Sequence, residues 1–155
     1  MKIAIIINAN KLSGRLTQRF TGCPAYHVAW VDEEAGLMYD MNLLRRRRKW
    51  PYYPQDQVAL FDPPGNVTQA YLEDKLTSDD NIYGFFDYFL FLLRPVYHLF
   101  GKSTRNAGGV ICSEMVNNDI WECGGETPWK PSDPPPSPCD FLSYFTGRQV
   151  RPSSF

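Results

Sequence analysis

The stretch that most constrains this chain is Gly108-Gly109-Val110-Ile111-Cys112-Ser113-Glu114-Met115-Val116. It reads as a loop or strand end running straight into a helix whose first turn carries a cysteine. Cys112, Met115, Val116 and Ile120 recur at i, i+3, i+4 and i+8, so one helical face holds all four and the thiol points inward. Trp121-Glu122-Cys123-Gly124-Gly125 then closes the helix, with glycine at the position a helix C-terminus favours. A thiol at a helix N-terminus meets the positive end of the macrodipole and unpaired backbone N–H groups, and both favour the thiolate. A buried cysteine that only fills space satisfies the same pattern. The two readings separate on whether an imidazole comes within reach of the sulfur.

A histidine is available on a strand. In Tyr26-His27-Val28-Ala29-Trp30-Val31 the period is two, which puts His27, Ala29 and Val31 on one face and Tyr26, Val28 and Trp30 on the other. Asp32-Glu33-Glu34-Ala35-Gly36 supplies a turn, and residues 37–44 return as the antiparallel partner. Whether the hairpin closes at residues 31 and 36 or at 32 and 37, an odd-sum register places His27, Asp40 and Asn42 on a shared face, so either polar residue can reach the imidazole. Packing the Cys112 helix on that sheet brings thiol, imidazole and a polar third residue together, with the N–H groups of Cys112 and Ser113 placed to receive an oxyanion. The second of the two histidines, His98, falls where an apolar helix ends and reads as a cap for its carbonyls.

At 155 residues the chain suits one domain, expected over 1–147 with a loose tail at 148–155. A hydrophobic content of 43% and a net charge of −1 point to neither a nucleic-acid nor a membrane partner. The four cysteines form no C-x-x-C pair, so no metal or other cofactor is expected, and a disulfide framework is not demanded at this length. Met1-Lys2-Ile3-Ala4-Ile5-Ile6-Ile7 is too short for an export signal and reads as a buried strand, which makes a cytoplasmic or virion-associated protein the expectation rather than a secreted one. Residues 82–100 are strongly apolar, but Asp87, Arg94 and Pro95 interrupt them, so a core helix breaking near Pro95 is expected and no transmembrane segment.

Other segments fill in around these. A short helix is expected over 11–20, a strand over 57–61, an amphipathic helix over 67–76 and a final short helix over 140–145. Arg45-Arg46-Arg47-Arg48-Lys49 offers an anion-binding patch, with a solvated hairpin end as the simpler reading. Trp50-Pro51-Tyr52-Tyr53-Pro54 is a rigid aromatic loop. Residues 131–138 hold five prolines and must run extended along the surface.

The Tyr26–Val31 strand, Met38-Tyr39-Asp40-Met41, Tyr83-Gly84-Phe85 and Val110–Val116 occur in the order seen in circularly permuted papain-like proteins. The sequence resembles the YiiX-like branch of the NlpC-type superfamily, relatives of lecithin:retinol acyltransferase. The resemblance covers most of residues 11–145, and Ser137-Pro138-Cys139-Asp140-Phe141 is similar to the family's closing element. It implies an α+β, circularly permuted papain-like (NlpC-type) fold with an antiparallel sheet packed on the cysteine-bearing helix. It also implies Cys112 as nucleophile, His27 as general base and acid, and Asp40 as the group that orients the imidazole. Tyr26 stands where the family carries serine and Asp40 where it carries glutamate, so Asn42 stays open as the third residue. Tyr26 and Trp50 are the candidate substrate contacts.

The expected activity is thiol-dependent hydrolysis of an amide or peptide bond, cell-wall peptide or isopeptide included, through a covalent Cys112 intermediate. The alternatives are a lipid acyltransferase or thioesterase of the same fold, and a non-enzymatic binding or structural component of a phage or bacterial assembly such as a virion or cell envelope.

Overall fold

The computed structural model describes residues 1–7, 15, 18–19, 23–41, 44–54, 57–78, 112–133 and 135–149. The expected helix over 11–20 falls mostly outside these residues, and the apolar helix after residue 82, His98 and Asn42 lie wholly outside them.

Five strands, β1 (Lys2–Ile7), β2 (Ala25–Asp32), β3 (Leu37–Met41), β4 (Arg45–Lys49) and β5 (Val58–Phe61), form one antiparallel sheet in the order β4-β3-β2-β1-β5. Among the described residues three helices follow: α1 (Gln69–Thr77), α2 (Cys112–Glu122) and α3 (Pro138–Gln149). The architecture is therefore α+β. The three strands with mostly buried residues, β1, β2 and β3, lie between the more exposed edge strands β4 and β5. One sheet face, bearing Ile3, Ile5, Val28, Trp30, Tyr39 and Met41, packs on Leu72, Met115, Val116, Ile120, Phe141 and Phe145 of the helices. The opposite face carries Ala4, Ile6, Ala29, Val31 and Met38, with Tyr26, Trp50 and Tyr53 packed against them.

The β2–β3 hairpin pairs Trp30 with Tyr39 and Asp32 with Leu37, an odd-sum register that leaves Asp40 on the face opposite Trp30 and Tyr39. Gly36 takes a left-handed φ of 65° in the turn, and the Asp32 side chain accepts from Ala35 N–H. Where β1 meets β2 the pairing steps from Ile6–His27 to Ile7–Ala25, so Tyr26 is an extra residue in a bulge directly before the histidine. A bulge bends and twists the strand locally, which re-aims the side chains beside it.

Each helix is closed by its own sequence. Thr68 caps α1 through a bond from Tyr71 N–H. Gly124, at φ 75°, ends α2, its N–H donating to Trp121 O while Gly125 N–H donates to Ile120 O. Ser137 and Asp140 form a reciprocal capping box at α3, each side chain accepting from the other's backbone N–H at 3.2 and 2.8 Å. That helix runs on to Gln149, past the expected boundary at residue 147.

The Arg45–Lys49 run departs from the solvated hairpin end expected of it. It is an edge strand whose alternate arginines meet carboxylates on both sheet faces. Arg45 pairs with buried Asp119 at 2.8 Å and Arg47 with Glu73 at 2.9 Å, both on the helix side. Asp119 also accepts from Trp30 Nε1 and the Tyr71 hydroxyl, so its carboxylate is well satisfied, while Nε and Nη1 of buried Arg45 have no hydrogen-bond partner. Cys23 and Cys139 form a disulfide, which cysteine spacing had not called for; it ties the entry of β2 to the first turn of α3.

Two stability measurements follow. Asp119→Ala leaves the Arg45 guanidinium buried without its carboxylate and is expected to cost about 3–5 kcal/mol in chemical denaturation; a loss under about 1 kcal/mol contradicts the network's role. Reducing the disulfide is expected to remove about 2–4 kcal/mol, seen as a lower Tm, and an unchanged Tm contradicts it.

Candidate active site

Three side chains from three elements converge on buried ground. Cys112 opens α2, His27 lies on β2 just past the bulge, and Asp40 lies on β3; their exposures are 7%, 6% and 0%. The thiol faces the imidazole, and that ring together with the backbone at Val28 and Ser113 favours the thiolate. His27 Nε2 lies 3.6 Å from Asp40 Oδ2, an ion-pair contact longer than a hydrogen bond, and no hydrogen bond reaches that nitrogen. The imidazole stands between sulfur and carboxylate.

The electrostatics of the pair follow from this geometry. Burial of the thiol favours its neutral form, but the facing imidazole and the two backbone donors outweigh it and hold the Cys112 pKa below that of an ordinary thiol. Burial of the ring likewise disfavours its charge, yet the facing Cys112 sulfur and the Asp40 carboxylate push His27 up to about 9. Each shift favours the charged form, so the pair leans toward thiolate and imidazolium. Such a pair presents a nucleophile and a proton donor side by side.

The first turn of α2 is anchored from outside. Ser113 Oγ donates to Pro136 O at 2.6 Å, and Asn117 Nδ2 donates to Trp129 O at 3.0 Å, so the proline-rich segment fixes the helix end that holds the sulfur. The N–H groups of Cys112 and Ser113, the expected oxyanion donors, lie at the start of α2.

Asp40 is held by more than the histidine. Arg46 Nε meets Oδ1 at 3.1 Å, and Arg48 Nε lies 3.2 Å from Oδ1 and 3.1 Å from Oδ2. Nothing in the run of five cations singled these two out from the sequence. Their alternation along an edge strand, facing the same way as Asp40, is the signal that was available.

The structure places the two expected substrate contacts differently. Tyr26 is half-buried on the His27 face, where burial raises its hydroxyl pKa. Trp50 lies instead by the β2–β3 turn, its N–H bonded to Gly36 O at 2.8 Å, and lines a cavity of about 130 Å³ with Glu33, Val58 and Leu60. Glu33 is six residues along from His27, roughly 20 Å at strand rise, so Trp50 is not at the site. After Trp50 the loop returns toward the histidine, and it is Tyr53 whose ring lies 6.2 Å from the imidazole. No cluster of residues able to hold a metal ion occurs among those described.

The fold and site define an α+β domain with a five-stranded antiparallel sheet and a buried thiol–imidazole–carboxylate row. Compared with known proteins, the chain matches no family model, no curated protein and no solved structure.

Alkylation by iodoacetamide reads the pair directly. Cys112 is expected to react as a thiolate at pH values well below the ~8.5 of a free thiol, and His27→Ala to slow it at least tenfold at neutral pH; equal rates in both proteins contradict the pairing.

Proposed function

We propose that this protein is a thiol hydrolase acting on an amide or peptide bond through a covalent Cys112 intermediate. One observation carries the reading: the sulfur sits at a helix N-terminus, facing a buried imidazole that has a carboxylate on its far side. A thiol that merely fills core space has no need of that arrangement, and burying two ionisable groups together is costly unless their charges are used or paired.

The chemistry runs through this chain's own groups. The Cys112 thiolate adds to the substrate carbonyl carbon, and charge moves onto the carbonyl oxygen, which the Cys112 N–H at the start of α2 stabilises. The His27 imidazolium gives its proton to the leaving amine as the carbon–nitrogen bond breaks, leaving a thioester. The now neutral imidazole takes a proton from water, which attacks the thioester carbon; the carbon–sulfur bond breaks, the carboxylic acid leaves and the thiolate–imidazolium pair is restored. Asp40 keeps the ring oriented and stabilises its charged form.

The substrate class rests on the resemblance to permuted papain-like proteins, which makes cell-wall peptides and isopeptides the leading candidates. The Cys23–Cys139 bond favours oxidising surroundings. That suits action at an envelope or outside a cell better than the cytoplasmic placement expected from the N-terminus.

The test is turnover on a panel of cell-wall peptides and isopeptides, with mass spectrometry to catch the acyl group on Cys112. Cleavage is expected to fall about 10³-fold or more in Cys112→Ala, with the thioester adduct absent. Acylation of Cys112 by lipid esters alone replaces this reading with the acyltransferase one, and no adduct from any acyl donor contradicts it.

A further inference from the structure

Asp40 is a single carboxylate answering three cationic or potentially cationic groups, and two of them share one oxygen. Oδ2 lies 3.1 Å from Arg48 Nε and 3.6 Å from His27 Nε2, whereas Arg46 touches only Oδ1. Arg48 is also the better fixed of the two arginines. Its side chain is 18% exposed against 44% for Arg46, and its guanidinium lies over the Tyr52 ring at 4.3 Å from the centroid. A guanidinium bonded to both carboxylate oxygens competes with the imidazole for the charge on Oδ2. Its positive charge also opposes a proton on the ring across the shared oxygen.

We propose that Arg48 is a positioning residue: by holding the oxygen of Asp40 nearest His27, it limits how strongly the carboxylate draws on the imidazole and so sets the pH range over which Cys112 and His27 stay a charged pair. This rests on the thiolate–imidazolium reading given under Proposed function. The other groups facing His27 leave the assignment with Arg48. From α2 comes Cys112, the partner itself. Arg46 of β4 binds the oxygen remote from the ring. Tyr53 from the loop after β4, and Tyr26 on the same strand, both have hydroxyl pKa values raised by burial and stay neutral. From α3 the nearby sulfur is that of Cys139, which is in a disulfide and does not titrate.

The experiment is an NMR titration of the His27 imidazole, assigned by its loss in His27→Ala, run beside the pH profile of Cys112 alkylation. In Arg48→Gln, Oδ2 is released to accept from Nε2, and the ring's titration is expected to move up by about one pH unit. The upper transition of the alkylation profile, where the charged pair gives way, should rise with it. Arg46→Gln is expected to move the ring by less than a third of that, and Arg48→Lys, which keeps the charge, by about half. If Arg48→Gln does not fold, Arg48→Lys carries the test in the same direction. A folded Arg48 variant that titrates as wild type overturns the proposal, as does an equal shift in Arg46→Gln. A purely structural role lowers reactivity without moving either midpoint. Should wild-type Cys112 show no His27-dependent thiolate, it is the hydrolase reading that falls; with that dependence intact and the midpoints unmoved, only the role of Arg48 falls.

Discussion

Burial of charge is the constraint around which this molecule is arranged. Cys112, His27 and Asp40 are all withdrawn from water, and an ionised group there is tolerable only when a partner of opposite sign is held against it. The chain meets that demand with an unbroken row: thiol to imidazole, imidazole to carboxylate, carboxylate to two guanidinium groups that reach solvent at the sheet edge. A second buried carboxylate, Asp119, is met on the other side of the same edge strand by Arg45, Trp30 and Tyr71. One run of arginines thus serves two networks through the alternation of strand side chains, and an edge strand rich in charge also resists pairing with another sheet.

The scaffold aims these groups through a few local devices. The bulge at Tyr26 re-aims the strand just before the histidine, the hairpin register carries Asp40 to the correct face, and the start of α2 brings N–H groups to the sulfur. The end of α2 is held as tightly as its start. A Cβ at Gly125 would lie 1.8 Å from Pro64 O, so the loop after β5 closes on the helix terminus over a glycine that no other residue can replace without displacing backbone. The motif at residues 137–141 also acquires a physical meaning, since its serine and aspartate cap α3 while neighbouring Pro136 accepts the bond from Ser113.

Much of this was legible in the sequence because it rests on periodicity and caps. The period-two pattern of β2, the odd-sum hairpin and the helix beginning at Cys112 are local signals, and they were sufficient to place thiol, imidazole and carboxylate on neighbouring elements. What the sequence did not disclose depends on contacts between distant segments. Nothing near Cys23 or Cys139 announces their bond, because a disulfide between residues 116 positions apart leaves no spacing pattern. Five adjacent cations look alike in a linear chain, and only strand geometry sorts Arg46 and Arg48 toward Asp40. Trp50 and Tyr53 are three residues apart in one aromatic loop, and only the path of that loop decides which ring meets the histidine.

The central claim is that a proton has moved from the sulfur of Cys112 to the ring of His27 before any substrate arrives. A neutron diffraction map of the protein crystallised at neutral pH locates that proton. The account predicts density for hydrogen on both nitrogens of the imidazole and none on the sulfur. A protonated sulfur beside a singly protonated ring, or a sulfur beyond hydrogen-bond reach of the ring, contradicts it.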